Sequence, residues 1–281
     1  SLLAMAVVYG VIPDPPAPDA QHAAQPAPGF IEVLRDPQLA RLNFGILALH
    51  AVLMALFIVV PLALRDAGLA VDQHWQIYLP VMLGSFVLML PAILIAERRG
   101  HVKAVFAGAV GLLLLGQLTM PWLLGGVAEI SVFLLIFFTA FNVLEATLPS
   151  LTSKLAPPGA RGAAIGVYSS VQFLGTFVGA ASGGFLFQNF GVRGVFVFDA
   201  ALLAAWLVLA AGMRPPRLVL TRAYAVPALD HHQAGSLLAR LRAQPGVKEA
   251  QLAAGERTAY LKVDATGYDE QLVLRLIEDL T

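Results

Sequence analysis

A carboxylate stands in the middle of one of the most apolar stretches of this sequence. Glu145 is the only charged residue between positions 130 and 153. A charged side chain at the centre of a membrane-spanning helix costs roughly 2.5–3.5 kcal/mol on insertion scales. Such a side chain is expected to face a cavity or a polar partner, or to be protonated. We interpret Glu145 as a proton-binding or substrate-contacting residue; the alternative is a structural hydrogen bond between helices.

Further polar side chains interrupt the apolar stretches at helical spacing. His50 lies seven residues before Phe57, and an imidazole in such a stretch could bind a substrate or carry a proton. The alternative is a packed histidine bonded to a backbone carbonyl. Tyr168 and Gln172 are four residues apart and share one helix face. Asn142 lies one helical turn before the carboxylate and shares its face.

Two other patterns indicate packing rather than chemistry. Gly175, Gly179 and Gly183 recur every four residues, a spacing that lets two helices approach closely at their backbones. Asp199 is flanked by apolar residues and stands six positions after Arg193. We therefore expect Asp199 and Arg193 to form an ion pair at the membrane surface.

The composition is that of a membrane protein. Of the 281 residues, 58% are apolar and 13% are charged, whereas soluble proteins have about 45–50% and about 25%. The net charge is zero without a basic block, which argues against a nucleic-acid partner. The sequence has no cysteine, so disulfides and thiolate metal sites are excluded. Because the apolar stretches hold no Ser-His pair, paired carboxylates or His-x-x-x-His spacing, we expect no enzyme activity, no catalytic residue and no metal or other cofactor.

The apolar stretches have the length of membrane-spanning helices. An apolar start at 1–12 is interpreted as the tail of a preceding membrane helix, and a Pro- and Ala-rich linker follows at 13–41. A six-helix transmembrane bundle is predicted over 42–213. Its spans are 43–64, 76–96, 102–124, 129–148, 162–187 and 192–213. With the linker in the cytoplasm, ten basic residues fall on the cytoplasmic side and two on the other, which predicts a cytoplasmic C-terminal domain.

Residues 217–281 have the composition of a small soluble domain. Strands are predicted at 218–226, 247–253 and 258–263, and helices at 230–243 and 268–280. The order βαββα is that of an α+β ferredoxin-like unit that lacks its last strand. His231 and His232 are too few ligands for a metal site. A regulatory, oligomerising or small-ligand role for this domain stays open.

Several local sequences resemble one family of membrane proteins. The loop ERRGHVK, which begins at Glu97, resembles the acidic-Arg-x-Gly-basic loop of the major facilitator superfamily, with Glu in place of Asp. The run PGARGAAIG from Pro158 is also typical of that superfamily. Other runs resemble its YajR-like efflux branch, whose members carry an extra C-terminal domain. These runs are LNFGI from Leu42, AFNVLEA from Ala140, LPSL from Leu148, GVKE from Gly246 and AYLKVD from Ala259.

The resemblance implies an all-α polytopic fold: the second, six-helix half of a transporter whose first half is missing from the sequence. It also implies that the spans carrying His50 and Glu145 line a central cavity. Glu145 is the proton-coupling candidate, and the substrate-cavity candidates are His50, Phe57, Asn142, Tyr168 and Gln172. The loop between the second and third spans is expected to hold cytoplasmic helix ends together in one conformational state; its residues of interest are Glu97, Arg98, Gly100 and Lys103. The alternative is that its charges only set the orientation of the spans in the membrane.

The function that the resemblance implies is secondary active transport, with proton-coupled efflux of amphipathic small molecules by alternating access. The protein is expected in a cell membrane as a multi-pass protein, with the bacterial inner membrane as its location. Its expected partners are the lipid bilayer, the missing N-terminal half, the substrate and protons. The alternatives are a sugar or metabolite importer of the same fold, and a six-span protein that signals through its cytoplasmic domain.

Overall fold

The computed structural model describes residues 10, 30–98, 100–122, 125–157, 159–213, 219–227, 231–253, 257–264 and 267–278. The predicted helix tail at 1–12, apart from Gly10, and most of the predicted linker lie outside these residues. Between positions 30 and 211 the described residues form six α-helices: α1 (Phe30–Arg35), α2 (Pro37–Asp66), α3 (Trp75–Arg98), α4 (Val102–Thr119), α5 (Val127–Leu155) and α6 (Arg161–Ala211). Short 3-10 turns at Val71–Gln73 and Met120–Trp122 adjoin α3 and α4.

The longest helix, α6, contains two membrane spans. Its 51 residues would measure about 77 Å at 1.5 Å per residue, far more than the roughly 30 Å of bilayer hydrocarbon. The helix is broken at Gly191, where φ is 64° and ψ is −163°, a backbone conformation that essentially only glycine adopts. We call residues 161–190 the first arm of α6 and residues 192–211 its second arm. With α2 to α5, the two arms make six spans, and the predicted six-helix half is confirmed.

The first arm of α6 packs backbone to backbone on α2. A Cβ atom added to Gly179 would lie 2.1 Å from the carbonyl oxygen of Ala51. Gly175 and Gly183, one helical turn before and one after Gly179, approach the α2 backbone in the same way. The predicted packing role of this glycine repeat is therefore confirmed, and α2 is identified as the helix that it contacts.

The second arm of α6 packs on α2 and α4 through a buried indole. Trp206 is 1% exposed, and its ring lies 5.7 Å from the ring of Phe106 on α4. A Cβ atom on Gly45 of α2 would lie 2.6 Å from the indole nitrogen, so that glycine makes room for the tryptophan.

Two basic side chains bind the C-terminal end of α6. Arg41, near the start of α2, donates from Nη1 to the carbonyl oxygen of Gly212 at 2.5 Å. Lys103, near the start of α4, donates from Nζ to the carbonyl oxygen of Ala211 at 2.7 Å. The last carbonyls of a helix lack intrahelical partners and carry partial negative charge, so a cation there is stabilising. These contacts hold the ends of three spans together on one side of the bundle.

Removing both cations is expected to lower the stability of the protein measurably. Each is expected to contribute roughly 0.3–1 kcal/mol, since this is the usual effect of a cation at a helix C-terminus. The double variant Arg41→Met and Lys103→Met should therefore melt at a lower temperature than the wild type in detergent at low ionic strength. Added salt should narrow the difference. An identical melting temperature at low salt would show that the two contacts are not stabilising.

The C-terminal domain has the predicted order of elements. Its strands are β1 (Val219–Ala225), β2 (Val247–Ala253) and β3 (Thr258–Asp264), and its helices are α7 (His231–Arg242) and α8 (Glu270–Glu278). The sheet is antiparallel with the strand order β1-β3-β2. That is the order of a ferredoxin-like sheet without its last strand, so the predicted fold class is confirmed. The domain has its own hydrophobic core, which includes Leu237, Leu241, Leu261 and Val273.

Candidate functional site

Three of the predicted site residues meet at one point of the bundle. His50 comes from α2, Glu145 from α5 and Gln172 from the first arm of α6. The amide Nε2 of Gln172 lies 2.9 Å from His50 Nε2 and 3.3 Å from Glu145 Oε1. The second carboxylate oxygen, Glu145 Oε2, lies 4.0 Å from His50 Nε2. We call these three residues the polar cluster.

The backbone contact between α2 and α6 positions two members of the polar cluster. Gly175, which touches the α2 backbone at Leu47, lies three residues after Gln172, and Leu47 lies three residues before His50. The glutamine therefore reaches the histidine because the two helices are as close as their backbones allow. The carboxylate of Glu145 approaches the pair from α5.

The polar cluster is only partly shielded. The His50 side chain is 12% exposed and the Glu145 side chain is 36% exposed. Glu145 Oε2 itself is buried and has no hydrogen-bond partner among the described residues. An unpartnered buried oxygen is costly unless it binds a proton or a bound molecule. The arrangement therefore provides an acceptor that is free for a proton.

Tyr168 stands one turn before Gln172 on the same arm of α6. It is 4% exposed, and its hydroxyl has no hydrogen-bond partner among the described residues. It lies within electrostatic range of the Glu145 carboxylate. The structure thus places Tyr168 beside the polar cluster, where its hydroxyl is available as a donor.

A series of aromatic rings leads away from the polar cluster. The His50 ring lies 5.8 Å from Phe141, which is followed by Phe138 at 6.2 Å. Phe138 lies 6.4 Å from Phe57, and Phe57 stacks on Tyr78 of α3 at 6.1 Å. Phe57 is 42% exposed, so the ring that the sequence singled out stands at the surface of the half bundle.

Asn142 is directed to a different contact. Its Nδ2 donates to Ser85 Oγ of α3 at 2.9 Å, and the Ser85 hydroxyl donates to the carbonyl of Met82. Asn142 is 8% exposed and Ser85 is 0% exposed. The pair is a hydrogen bond between α3 and α5, a kind of bond worth about 0.6 kcal/mol on average in membrane proteins. The sequence analysis missed Ser85, although a serine inside an apolar span was a detectable signal.

The loop between α3 and α4 is described in part. Arg98 and Gly100 are exposed, and Gly100 has a φ of 67°, which favours glycine. Lys103 makes the contact to the end of α6 given above. The side chain of Glu97 lies outside the described part of the loop.

The predicted ion pair between Asp199 and Arg193 is wrong. Asp199 is 0% exposed, and neither of its carboxylate oxygens has a partner among the described residues. Arg193 is exposed. At 100° per residue, six residues place the two side chains about 120° apart around the helix, so one points into the bundle and the other outward. Gln117 of α4, which the sequence analysis did not single out, is also fully buried with both polar atoms unpartnered.

An apolar groove of about 470 Å³ lies between α4 and the start of α5. Leu115, Val132 and Ile136 line it and are exposed, and Glu129 stands at its end. Most of its lining residues are exposed and none of the predicted site residues borders it, and we call it the outer groove. The described residues contain no group of three His, Asp or Glu side chains that could hold a metal ion.

Comparison with known families identifies both parts of the chain. The model of the Major Facilitator Superfamily matches residues 1–180 and, in a second overlapping alignment, residues 72–228. The model of the YajR YAM domain matches residues 225–267. The first family covers the spans and the second covers most of the small α+β domain.

Individual relatives agree with the family matches. The inner membrane transport protein YajR of Escherichia coli (strain K12) is 40% identical over 237 residues, which are 84% of this chain and 52% of that protein. An uncharacterized transporter of Buchnera aphidicola subsp. Acyrthosiphon pisum (strain APS) is 29% identical over 139 residues, 50% of this chain and 36% of that protein. An uncharacterized transporter of Buchnera aphidicola subsp. Baizongia pistaciae (strain Bp) is 28% identical over 185 residues, which are 64% of this chain and 46% of that protein.

The chain therefore spans about half the length of YajR and less than half of the other two relatives. The predicted resemblance to YajR-like proteins with a C-terminal domain is confirmed. Six apolar spans show a multi-pass membrane protein, and a family model matches more than half of its residues. This chain belongs to the Major Facilitator Superfamily.

Proposed function

We propose that this chain is the second half of a proton-coupled transporter that exports amphipathic small molecules. The observation that carries the proposal is the convergence of His50, Glu145 and Gln172 from three different spans. A carboxylate beside an imidazole can take up a proton on either group, and the protonated pair carries no net charge inside the membrane. We refer below to this chain together with the preceding six-helix half as the full-length protein.

The polar cluster offers a proton two positions. When Gln172 donates to His50 Nε2, that nitrogen is an acceptor and the imidazole carries its own proton on Nδ1. A new proton can bind Glu145 Oε2, which is otherwise unpartnered, and neutralise the carboxylate. Alternatively it can bind His50 Nε2, which then loses the bond from the Gln172 amide nitrogen and becomes a donor toward Glu145 Oε2.

Proton binding would in this way change the contacts between three spans. A proton on His50 draws α2 and α5 together through an ion pair, and it forces the Gln172 amide on α6 to turn. A transporter is coupled to protons when proton occupancy favours one of its two conformations over the other. The two halves of the full-length protein would rock around the substrate site, and the polar cluster would bias that motion.

The surroundings of the polar cluster favour amphipathic substrates. The rings of Phe57, Phe138 and Phe141 extend from it, and Phe57 is well exposed on the half bundle. Aromatic rings bind both apolar groups and cations. A single carboxylate among them favours a substrate that carries a positive charge.

The proposed location is the bacterial inner membrane, as in the name of the Escherichia coli relative. The contacts of Arg41 and Lys103 place the starts of α2 and α4 on the same side of the bundle as the end of α6. The excess of basic residues on this side supports the proposal that it faces the cytoplasm and that the C-terminal domain lies there.

Two alternatives have less support. A sugar or metabolite importer of the same fold would need more hydrogen-bonding groups beside the central face than His50, Glu145, Tyr168 and Gln172 supply. Membership in the Major Facilitator Superfamily gives no support to the hypothesis that the chain signals through its C-terminal domain. We expect neither enzyme activity nor a resident cofactor.

Inside-out membrane vesicles that contain the full-length protein would test the proposal. With an acidic interior, the vesicles should accumulate an amphipathic cation such as ethidium, because protons leaving the vesicle drive the dye inward. A protonophore should abolish the accumulation. Dye accumulation that persists with the protonophore would refute proton coupling. In right-side-out vesicles, uptake of sugars but not of dyes would favour the importer.

A further inference from the structure

A second polar site lies inside the half bundle, away from the polar cluster. Asp199 on the second arm of α6 is 0% exposed, and both of its carboxylate oxygens are without a partner among the described residues. It belongs to a buried stripe of the arm that also contains Phe196 and Trp206. Phe196 contacts Phe133 of α5, and Trp206 contacts Phe106 of α4. Asp199 is therefore turned toward the interior between α4 and α5, not toward lipid.

The second member of this site is Gln117. It is 0% exposed, and its amide nitrogen and oxygen both lack partners among the described residues. It continues the buried stripe of α4 that contains Phe106, Val110 and Leu113. The same stripe packs on the second arm of α6, since Phe106 is the residue that meets Trp206.

The register of the two helices brings Gln117 and Asp199 to similar depth. α4 and the second arm run antiparallel, because Lys103 bonds Ala211 and Phe106 meets Trp206. Asp199 lies seven residues before Trp206. Because both helices rise about 1.5 Å per residue, the residue of α4 at the same depth is about seven residues after Phe106, close to Leu113. Gln117 then lies about one helical turn farther along α4. The two side chains are not hydrogen-bonded to each other in the structure, so a bond between them requires a change of rotamer.

No cation stands near Asp199 among the described residues. The charged and titratable groups on the elements packed against the second arm lie elsewhere. Arg41 and Lys103 bind the far end of the arm, and Glu129 borders the outer groove. His50 and Glu145 belong to the polar cluster, Lys154 is exposed near the end of α5, and Arg65 and Asp66 are exposed at the end of α2. An ionised carboxylate so enclosed would carry a desolvation cost of several kcal/mol or more.

We propose that Asp199 and Gln117 form a second proton-binding site, in which Asp199 is a neutral carboxylic acid hydrogen-bonded to the Gln117 amide. The acid O–H donates to the amide oxygen, and the amide nitrogen donates to the acid carbonyl. Two buried side chains that otherwise lack partners then satisfy each other, and the bond joins α4 to the second arm. Loss of the proton would put a charge between these helices and drive them apart or draw water in. The site stands on its own observations and does not depend on proton coupling at Glu145.

Infrared spectroscopy of the full-length protein in lipid at neutral pH tests this proposal. The difference between the wild type and Asp199→Asn should show the loss of one protonated carboxylic acid C=O band. The matched control is Asp66→Asn, since the Asp66 side chain is 74% exposed; this difference should show the loss of ionised carboxylate bands instead. Loss of carboxylate bands in Asp199→Asn would overturn the proposal.

A second variant tests the partner. In Gln117→Leu the acid band should persist but move to higher frequency, because its hydrogen bond is gone. An unshifted band would overturn the assignment of Gln117. If Asp199→Asn does not fold, wild-type protein with ¹³C-labelled aspartate gives the same information: an isotope-shifted acid band at neutral pH supports the proposal, and aspartate bands that are all ionised contradict it.

Discussion

Replacing Glu145 by glutamine in the full-length protein is expected to abolish proton-driven export while leaving the amount of folded protein unchanged. The amide keeps the size and can still accept from Gln172, but it cannot bind a proton at neutral pH. A coupling free energy of about 3 kcal/mol corresponds to about 150-fold, so we expect the rate of dye accumulation in inside-out vesicles to fall by about this factor, to the level of vesicles without the protein. The initial rate of ethidium accumulation measures the change.

The matched control for this variant is Glu129→Gln. Glu129 is on the same helix, but it stands near the other end and borders the outer groove between α4 and α5. Its replacement should leave the rate of accumulation as in the wild type. If Glu145→Gln transports like Glu129→Gln, the carboxylate of the polar cluster is a structural group and our proposal for it fails.

Replacing Gly179 by alanine is expected to destabilise the protein by about 1–3 kcal/mol, the usual cost of overpacking a tight interior contact. The new Cβ would lie 2.1 Å from the Ala51 carbonyl oxygen, and this neighbour is backbone that cannot turn away. The first arm of α6 must therefore move away from α2. That movement also separates Gln172 from His50, so transport should fall along with stability. The melting temperature in detergent and the dye accumulation rate check both effects.

Gly184→Ala is the control for the packing prediction. Gly184 lies on the same arm of α6, but a Cβ atom there would meet nothing within 4 Å. Alanine favours a helix over glycine by up to about 1 kcal/mol, so this variant should be as stable as the wild type or slightly more stable. Equal melting temperatures for Gly179→Ala and Gly184→Ala would contradict the close contact between the two helices.

The spans and the small domain could be predicted because their signals are local. Runs of about 20 apolar residues and a period-two pattern in short strands need no knowledge of neighbouring elements. The break in α6 at Gly191 was also predictable, since a mostly apolar stretch of 51 residues is too long for one crossing. The glycine repeat predicted a close helix contact, but the sequence could not identify α2 as the partner.

What the sequence left open is the direction of single side chains. Asn142 and Glu145 are three residues apart, about 60° around the helix, and this difference sends one to Ser85 on α3 and the other to Gln172 on α6. Asp199 was assigned to Arg193 by proximity in sequence, although their directions differ by about 120°. Such errors are expected whenever the rotation of a helix is set by packing with elements distant in the chain.

The most direct test of the polar cluster is the movement of protons that accompanies transport. Full-length protein is reconstituted into liposomes that contain a pH-sensitive dye, and a gradient of an amphipathic cation that the wild type transports is imposed without a pH gradient. The wild type should move protons against the flow of the cation, and Glu145→Gln should move none above the level of empty liposomes. A Glu145→Gln protein that moves protons at the wild-type ratio to substrate would contradict the assignment of the coupling proton to the polar cluster.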